Sequence, residues 1–170
     1  MIVIRDEQPD DGPGIRELAL LAFDGPAEAR IIDALREACP GLVSLVAVEN
    51  GEIVGHILFS PVSINGSTIT GMGLAPMAVL PERQRQGIGT ELVRHGLSRL
   101  REERCPFVIV LGHPDYYPRF GFVPASMYGL SSQWEGVPDE AFMVIVFDER
   151  LMDSVHGVVR YRDEFDGAMK

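Results

Sequence analysis

Apolar residues recur along this chain with two different periods. Ile15, Leu18, Ala19 and Ala22 fall three and four apart, which predicts a helix over about 11–23. Asp10 and Asp11 ahead of Pro13 mark its start. Gly25-Pro26 breaks it. Ile31, Ile32, Leu35 and Ala38 repeat the helical spacing and are stopped by Pro40-Gly41. The pattern then changes. Leu42 to Glu49 is rich in valine and leucine. Asn50-Gly51, two residues that tolerate positive φ, predict a tight hairpin into a strand over Glu52 to Ser60. Asn65-Gly66 predicts a second hairpin into Ser67 to Thr70, and Gly73 to Leu80 reads as another strand.

Ile88, Leu92, Val93, Leu97 and Leu100 return to helical spacing. Phe107 to Leu111 reads as a short buried strand, Asp115 to Phe120 as a turn or short helix, and Gly121-Phe122-Val123 as the start of a further strand. Phe142 to Phe147 reads as the last strand of the main sheet. A helix between the Gly73–Leu80 and Phe107–Leu111 strands implies a right-handed crossover between parallel neighbours. The predicted fold is α/β with a mixed sheet flanked by helices, a class in which ligands bind beyond the carboxyl ends of strands. One domain is expected over 1–147. In the remaining 148–170, Val158 to Tyr161 predicts an extra strand, and the rest, being charged, reads as a mobile tail.

Composition narrows the function. The 170 residues carry a net charge of −10, which argues against nucleic acid as the main partner. No apolar run reaches the length of a membrane span, and the N-terminus lacks a secretory signal, so a cytoplasmic location is expected. Cys39 and Cys105 are far apart and predict two buried free thiols. The four histidines lack metal-ligand spacing, so no metal is expected. The charge is uneven. Residues 1–52 hold 11 acids and 4 arginines, whereas 81–104 hold 4 acids and 6 arginines, a basic island suited to a small anion.

That island contains Gln84-Arg85-Gln86-Gly87-Ile88-Gly89-Thr90, where a strand passes through a polar turn into a helix. Glycine lets backbone approach a ligand closely, and the free amides of a helix start attract anions, so a pyrophosphate would fit. No Lys-Ser/Thr pair follows, as a nucleotide P-loop requires, and Leu92 breaks the dinucleotide fingerprint. The stretch resembles the acetyl-CoA-binding motif of the GNAT superfamily, Gln/Arg-x-x-Gly-x-Gly/Ala. Tyr116-Tyr117-Pro118-Arg119-Phe120-Gly121-Phe122 resembles that family's Tyr-x-x-x-Gly-Phe. The longer run Leu111-Gly112-His113-Pro114-Asp115-Tyr116-Tyr117 resembles a bacterial subgroup of predicted acetyltransferases without a settled substrate.

The resemblance implies a splayed central sheet and acetyl-CoA as cosubstrate. It places the pyrophosphate on Arg85, Gln86, Gly87, Ile88, Gly89 and Thr90, with Gln84 opening the motif. It places the pantetheine arm along Met77, Ala78 and Val79. A primary amine, small or on a peptide, would attack the thioester directly. The backbone N–H of Ala78 or Val79 would stabilise the oxyanion, and Tyr117, or Tyr116 beside it, would protonate the thiolate. Many members carry a glutamate base on the strand before the loop; Gly73 to Leu80 has no acid. Base candidates are His113, Asp115, His56 and Glu82, with His113 placed best because it follows a strand end and titrates near neutrality. The missing acid also leaves open an acyl-CoA-binding sensor or partner module. Trp134 either packs or lines an acceptor pocket. The resemblance allows a homodimer through 148–170 or a sheet edge.

Overall fold

The computed structural model describes residues 1–166. The chain runs β1 (Ile2–Asp6), α1 (Gly12–Ala22), α2 (Ala27–Ala38), β2 (Val43–Glu49), β3 (Glu52–Ile64), β4 (Thr70–Val79), α3 (Ile88–Glu102), β5 (Phe107–Leu111), β6 (Val123–Pro124), β7 (Leu130–Ser132), β8 (Phe142–Val146), α4 (Glu149–Met152) and β9 (Gly157–Arg160). The sheet order is β1-β2-β3-β4-β5-β8-β6, with β9 joined to β3 and β7. Only β4–β5 and β7–β9 are parallel; the sheet is mixed, as expected.

All three helices read from the spacing and the Asn50-Gly51 hairpin stand where the pattern put them, and both hairpin residues take positive φ (53° and 76°). Four details differ. An edge strand, β1, precedes the first helix. Strand β3 continues through Pro61 to Ile64. A single strand, β4, replaces the two expected at Ser67–Thr70 and Gly73–Leu80, with 67–69 lying outside it. Strand β8 lies inside the sheet between β5 and β6, and the final strand is β9. Val158 to Tyr161, expected as an extra strand, corresponds to β9. The expected charged tail includes 167–170, which lie outside the described residues; 149–166 comprise α4, β9 and a closing 3-10 turn over Asp163–Phe165.

Two apolar layers sandwich the sheet. Ile15, Ile32 and Leu35 of α1 and α2 pack over Leu58, Val62 and Ile109 on one face. Leu92, Val93 and Leu100 of α3 pack over Ile57, Phe59 and Val110 on the other. Close approach on the α3 side depends on glycine: a Cβ at Gly96 would lie 2.3 Å from the Phe59 ring. Cys39 is buried, Cys105 is half-buried, and both are free thiols.

The feature that builds a site is the parting of β4 from β5. They pair only at Met72↔Val108, Gly73↔Ile109 and Leu74↔Val110. Beyond Leu74, β4 inserts one extra residue relative to β3: Phe59 faces Leu74, yet Ile57 faces Met77. A bulge of this kind bends a strand and re-aims the residues beyond it. Strand β4 therefore runs on to Val79 beside β3 with its other edge open, and β5 ends at Leu111.

Candidate active site

The open edge presents particular backbone groups. The Leu80 amide donates to Val54 O at 3.0 Å, so Leu80 turns toward β3. Strand backbone alternates with a period of two. Ala78, opposite His56, therefore spends its amide on β3, and Met77 and Val79 aim theirs into the gap. Of the two donors expected for an oxyanion, Val79 faces the opening and Ala78 does not. The Val79 carbonyl accepts the Gln84 side-chain amide at 3.1 Å, which ties the motif's first residue to the strand end.

The loop after β4 is shaped by positive φ at Arg85 (65°) and Gly87 (88°). Gly87 caps α3 with its backbone alone, and the first helical bond is Glu91 N to Gly87 O at 3.1 Å. No amide from Arg85 through Thr90 has a backbone acceptor among the described residues. These donors, at the positive end of a 15-residue helix, form a cradle of free amides whose field favours negative charge. The basic island is partly neutralised: Arg83 pairs with Glu49, Arg94 with Glu91, and Arg99 with Asp6 and Glu103. The Arg85 guanidinium is outside every ion pair among the described residues. Ile88 sends its side chain into the core against Gly55, and contributes backbone alone to the cradle.

The tyrosines meet this loop. Thr90 Oγ1 and the Tyr116 hydroxyl are 2.9 Å apart, joining the start of α3 to the turn after β5. Tyr116 stacks edge-on against Tyr117 at 5.1 Å between centroids and carries the Arg119 guanidinium over its face at 4.4 Å. Tyr117 is 7% exposed. Its ring fits because residue 112 is glycine; a Cβ there would lie 2.4 Å from Tyr117 Cε2. Burial, and secondarily Tyr116, push its phenol up to about 12.

The four base candidates fall in different settings. His113 is exposed on the turn after β5, and its carbonyl accepts the amides of Tyr116 (3.1 Å) and Tyr117 (3.3 Å). Asp115 is exposed on the same turn, and Glu82 is exposed ahead of the cradle. His56 is buried on β3 at the end of a chain of polar contacts. Arg36 grips Glu7 through Nε (3.0 Å) and Nη2 (2.8 Å); Ser44 donates to Glu7 at 2.9 Å; and Ser44 Oγ lies 2.8 Å from His56 Nε2. With the serine proton committed to Glu7, Nε2 carries the imidazole hydrogen. Burial drops the His56 pKa to about 4, against a partial upward pull from Glu7. Glu7's own burial raises it, but the hydrogen bonds from Arg36 and Ser44 prevail and hold it below its ordinary value.

This network makes the fold acid-sensitive. Between pH 6.5 and about 4 the unfolded chain takes up a proton on His56 that the folded chain refuses. Stability is therefore full above pH 6.5 and falls on acidification, by about 3 kcal/mol at 1.36 kcal/mol per pKa unit. Glu7 adds to the loss as pH drops through the carboxylate range. Urea unfolding at pH 7.5 and 4.5 is expected to show this loss, and His56→Gln to flatten it. A flat wild-type profile would contradict the assignment.

Among the described residues, no group of three or more His, Cys, Asp or Glu side chains could hold a metal, and no helix is long and apolar enough to cross a membrane.

Residues 3–125 match the model of the acetyltransferase (GNAT) domain. The chain belongs to the GNAT acetyltransferase family. It is 36% identical over 166 residues to the uncharacterized N-acetyltransferase YhbS of Escherichia coli (strain K12), spanning 97% of this chain and 99% of that one. The 1.55 Å crystal structure of Escherichia coli YhbS in complex with CoA superposes with a TM-score of 0.90, covering 97% of this chain and 92% of that one. A Brucella melitensis GNAT family acetyltransferase crystallised with acetyl-CoA is 37% identical, with a TM-score of 0.82 over 98% and 99% of the two chains. The mixed, splayed sheet is thus the family's architecture. The sequence places Gln84–Thr90 at a helix start and Tyr116-Tyr117 on a turn, while the Thr90–Tyr116 contact that joins them carries no local sequence signal.

Proposed function

We propose that this protein transfers the acetyl group of acetyl-CoA to a primary amine by direct attack. The observation that carries the reading is the run of unpartnered amides from Arg85 to Thr90, placed at the mouth of the gap between β4 and β5. Similarity to proteins crystallised with CoA and acetyl-CoA supports it. The cradle would take the pyrophosphate, with Gln84 bracing it. Met77 and Val79 would pair with the pantetheine arm as a missing strand would, and Ala78 would contribute its side-chain surface.

In the reaction the amine nitrogen bonds to the thioester carbon, negative charge gathers on the carbonyl oxygen, and the carbon–sulfur bond breaks. The Val79 amide, which faces the gap, would donate to that oxygen; one such donor is worth roughly 3–4 kcal/mol. Tyr117 supplies a proton to the departing thiolate, and His113, on the same turn and open to water, takes the proton lost by the amine. The acid-free strand is the ground for a sensor reading, and no contact in the structure adds to it.

Thermal unfolding with and without acetyl-CoA tests the proposal. Ligand at 100 times its Kd adds about 2.7 kcal/mol, a rise of roughly 5–10 °C for a domain of this size. No rise at millimolar acetyl-CoA would reduce the cradle to a helix cap and overturn the reading.

A further inference from the structure

Three buried side-chain oxygens lack a hydrogen-bond partner among the described residues: Glu28 Oε2, Ser60 Oγ and the Tyr161 hydroxyl. Two of them belong to side chains beside Gly73. Ser60 on β3 stands directly opposite Gly73 on β4, and directly opposed residues project to the same face of a sheet. The Tyr161 ring covers that face of Gly73: a Cβ at residue 73 would lie 2.7 Å from Tyr161 Cε2 and 3.0 Å from Cζ, the atom that bears the hydroxyl. Gly73 also pairs with Ile109, one step before the last β4–β5 pair. The two orphan hydroxyls therefore belong to side chains that flank Gly73, one residue before the last pair ahead of the gap.

They approach Gly73 from the side opposite the cofactor loop. Tyr161 packs with the α1–α2 layer, and Tyr117 with the α3 layer. The Tyr161 ring is fixed there. It lies 5.2 Å from Trp134 and 5.2 Å from Phe165 between centroids, and its backbone amide donates to the Gln133 side chain at 2.6 Å. Tyr161 is 6% exposed and Ser60 0%. Buried hydroxyls are nearly always partnered, and leaving one unmade destabilises the fold. Two beside one residue, on a strand that carries no acid, are the ground for a polar group arriving there.

We propose that Tyr161 and Ser60 form the receiving end of the acceptor subsite, their hydroxyl oxygens accepting N–H groups from the neutral amine. This rests on the acetyltransfer reading above. Acceptance by these oxygens leaves the nitrogen lone pair free to bond the thioester carbon. Val62, whose Cγ1 would lie 2.9 Å from a Cβ at residue 73, and the Tyr161 ring crowd Gly73. The substrate class is accordingly a primary amine on an unbranched carbon. Both residues are positioning residues; neither exchanges the reacting proton.

The test is release of CoA thiol from acetyl-CoA with n-propylamine as acceptor, for wild type, Tyr161→Phe and Ser60→Ala. The expected result is acetylation of n-propylamine but not of tert-butylamine. Each variant raises the n-propylamine KM by about tenfold, the equivalent of one hydrogen bond. The acetyl-CoA KM and the cofactor-induced rise in Tm stay unchanged. The ligand-free Tm stays level or rises, since an unpartnered buried hydroxyl has gone. An unchanged n-propylamine KM in both variants, or a wild type that ignores n-propylamine while still gaining Tm from acetyl-CoA, overturns the subsite. So does a ligand-free Tm that falls in both, which would assign the hydroxyls to the fold. Loss of the acetyl-CoA effect itself would instead sink the reading of the cofactor loop.

Discussion

Gly87→Ala is expected to weaken acetyl-CoA binding by about ten- to a hundredfold while the ligand-free protein stays folded. Residue 87 sits at φ 88°, ψ 2°, a left-handed conformation that costs an L-residue roughly 1–2 kcal/mol. A Cβ there would meet nothing within 4 Å, so the chain itself imposes no clash and the strain is the whole effect before ligand binds. The loop is exposed, and it relaxes by leaving the left-handed region. That rotation turns the amides of Ile88 and Gly89 off the anion, and hydrogen bonds to charged groups are worth about 1.5–3 kcal/mol each. Gly89→Ala is the control. Its Cβ would sit 3.6 Å from Met77 Cε and from the Tyr116 hydroxyl, ordinary contact, and alanine favours a helix by about 0.5–1 kcal/mol. Its ligand-free Tm is expected to hold or rise. Isothermal titration of acetyl-CoA into both variants decides; wild-type affinity in Gly87→Ala would mean that the cradle binds no pyrophosphate.

Gly87 was legible in the sequence because its demand is local: a strand, a turn and a helix start lie within a few residues. The Asn50-Gly51 hairpin was legible for the same reason. What escaped was set by distant partners. The sequence pattern splits β4 at 71–72, and Gly71 and Gly73, at that break, are poor strand residues. Their tolerance comes from across the sheet, where a Cβ at Gly71 would lie 2.6 Å from the Phe107 carbonyl oxygen and one at Gly73 would strike Tyr161. The edge strand β1, Ile-Val-Ile-Arg-Asp, lacks clean alternation because Val3 is apolar yet exposed between the half-buried Ile2 and Ile4. Tyr161 is visible in the sequence as the end of an extra strand, but its packing is not, since its neighbours Gly73, Trp134 and Phe165 meet it only in three dimensions. His56 was a candidate base by residue type. Burial, and a partner serine committed to Glu7, make it a structural member of the α1–α2 side.

Tyr117→Phe is expected to lower kcat by about a hundredfold, the lower range for a positioned general acid, with the KM for acetyl-CoA unchanged. The phenol lies at about 12, from burial first and Tyr116 second. A raised pKa keeps the acid form present throughout the neutral and mildly alkaline range. The wild-type rate is therefore expected to climb with pH as the acceptor amine loses its proton, with no alkaline fall below about pH 11. An ordinary tyrosine near 10 would turn the profile down a unit or more earlier. In the phenylalanine variant the thiolate must find its proton in water, so kcat drops at every pH while the rising limb, which belongs to the amine, keeps its midpoint. Tyr116→Phe separates the neighbours. The Tyr116 hydroxyl bonds Thr90 at the start of α3, so its loss loosens the cradle and is expected to raise the KM for acetyl-CoA severalfold with kcat retained. A Tyr117→Phe enzyme with wild-type kcat would remove the acid role from this turn. The reversed pattern, with Tyr116 governing kcat and Tyr117 governing KM, would transfer the role one residue back, to the less buried phenol.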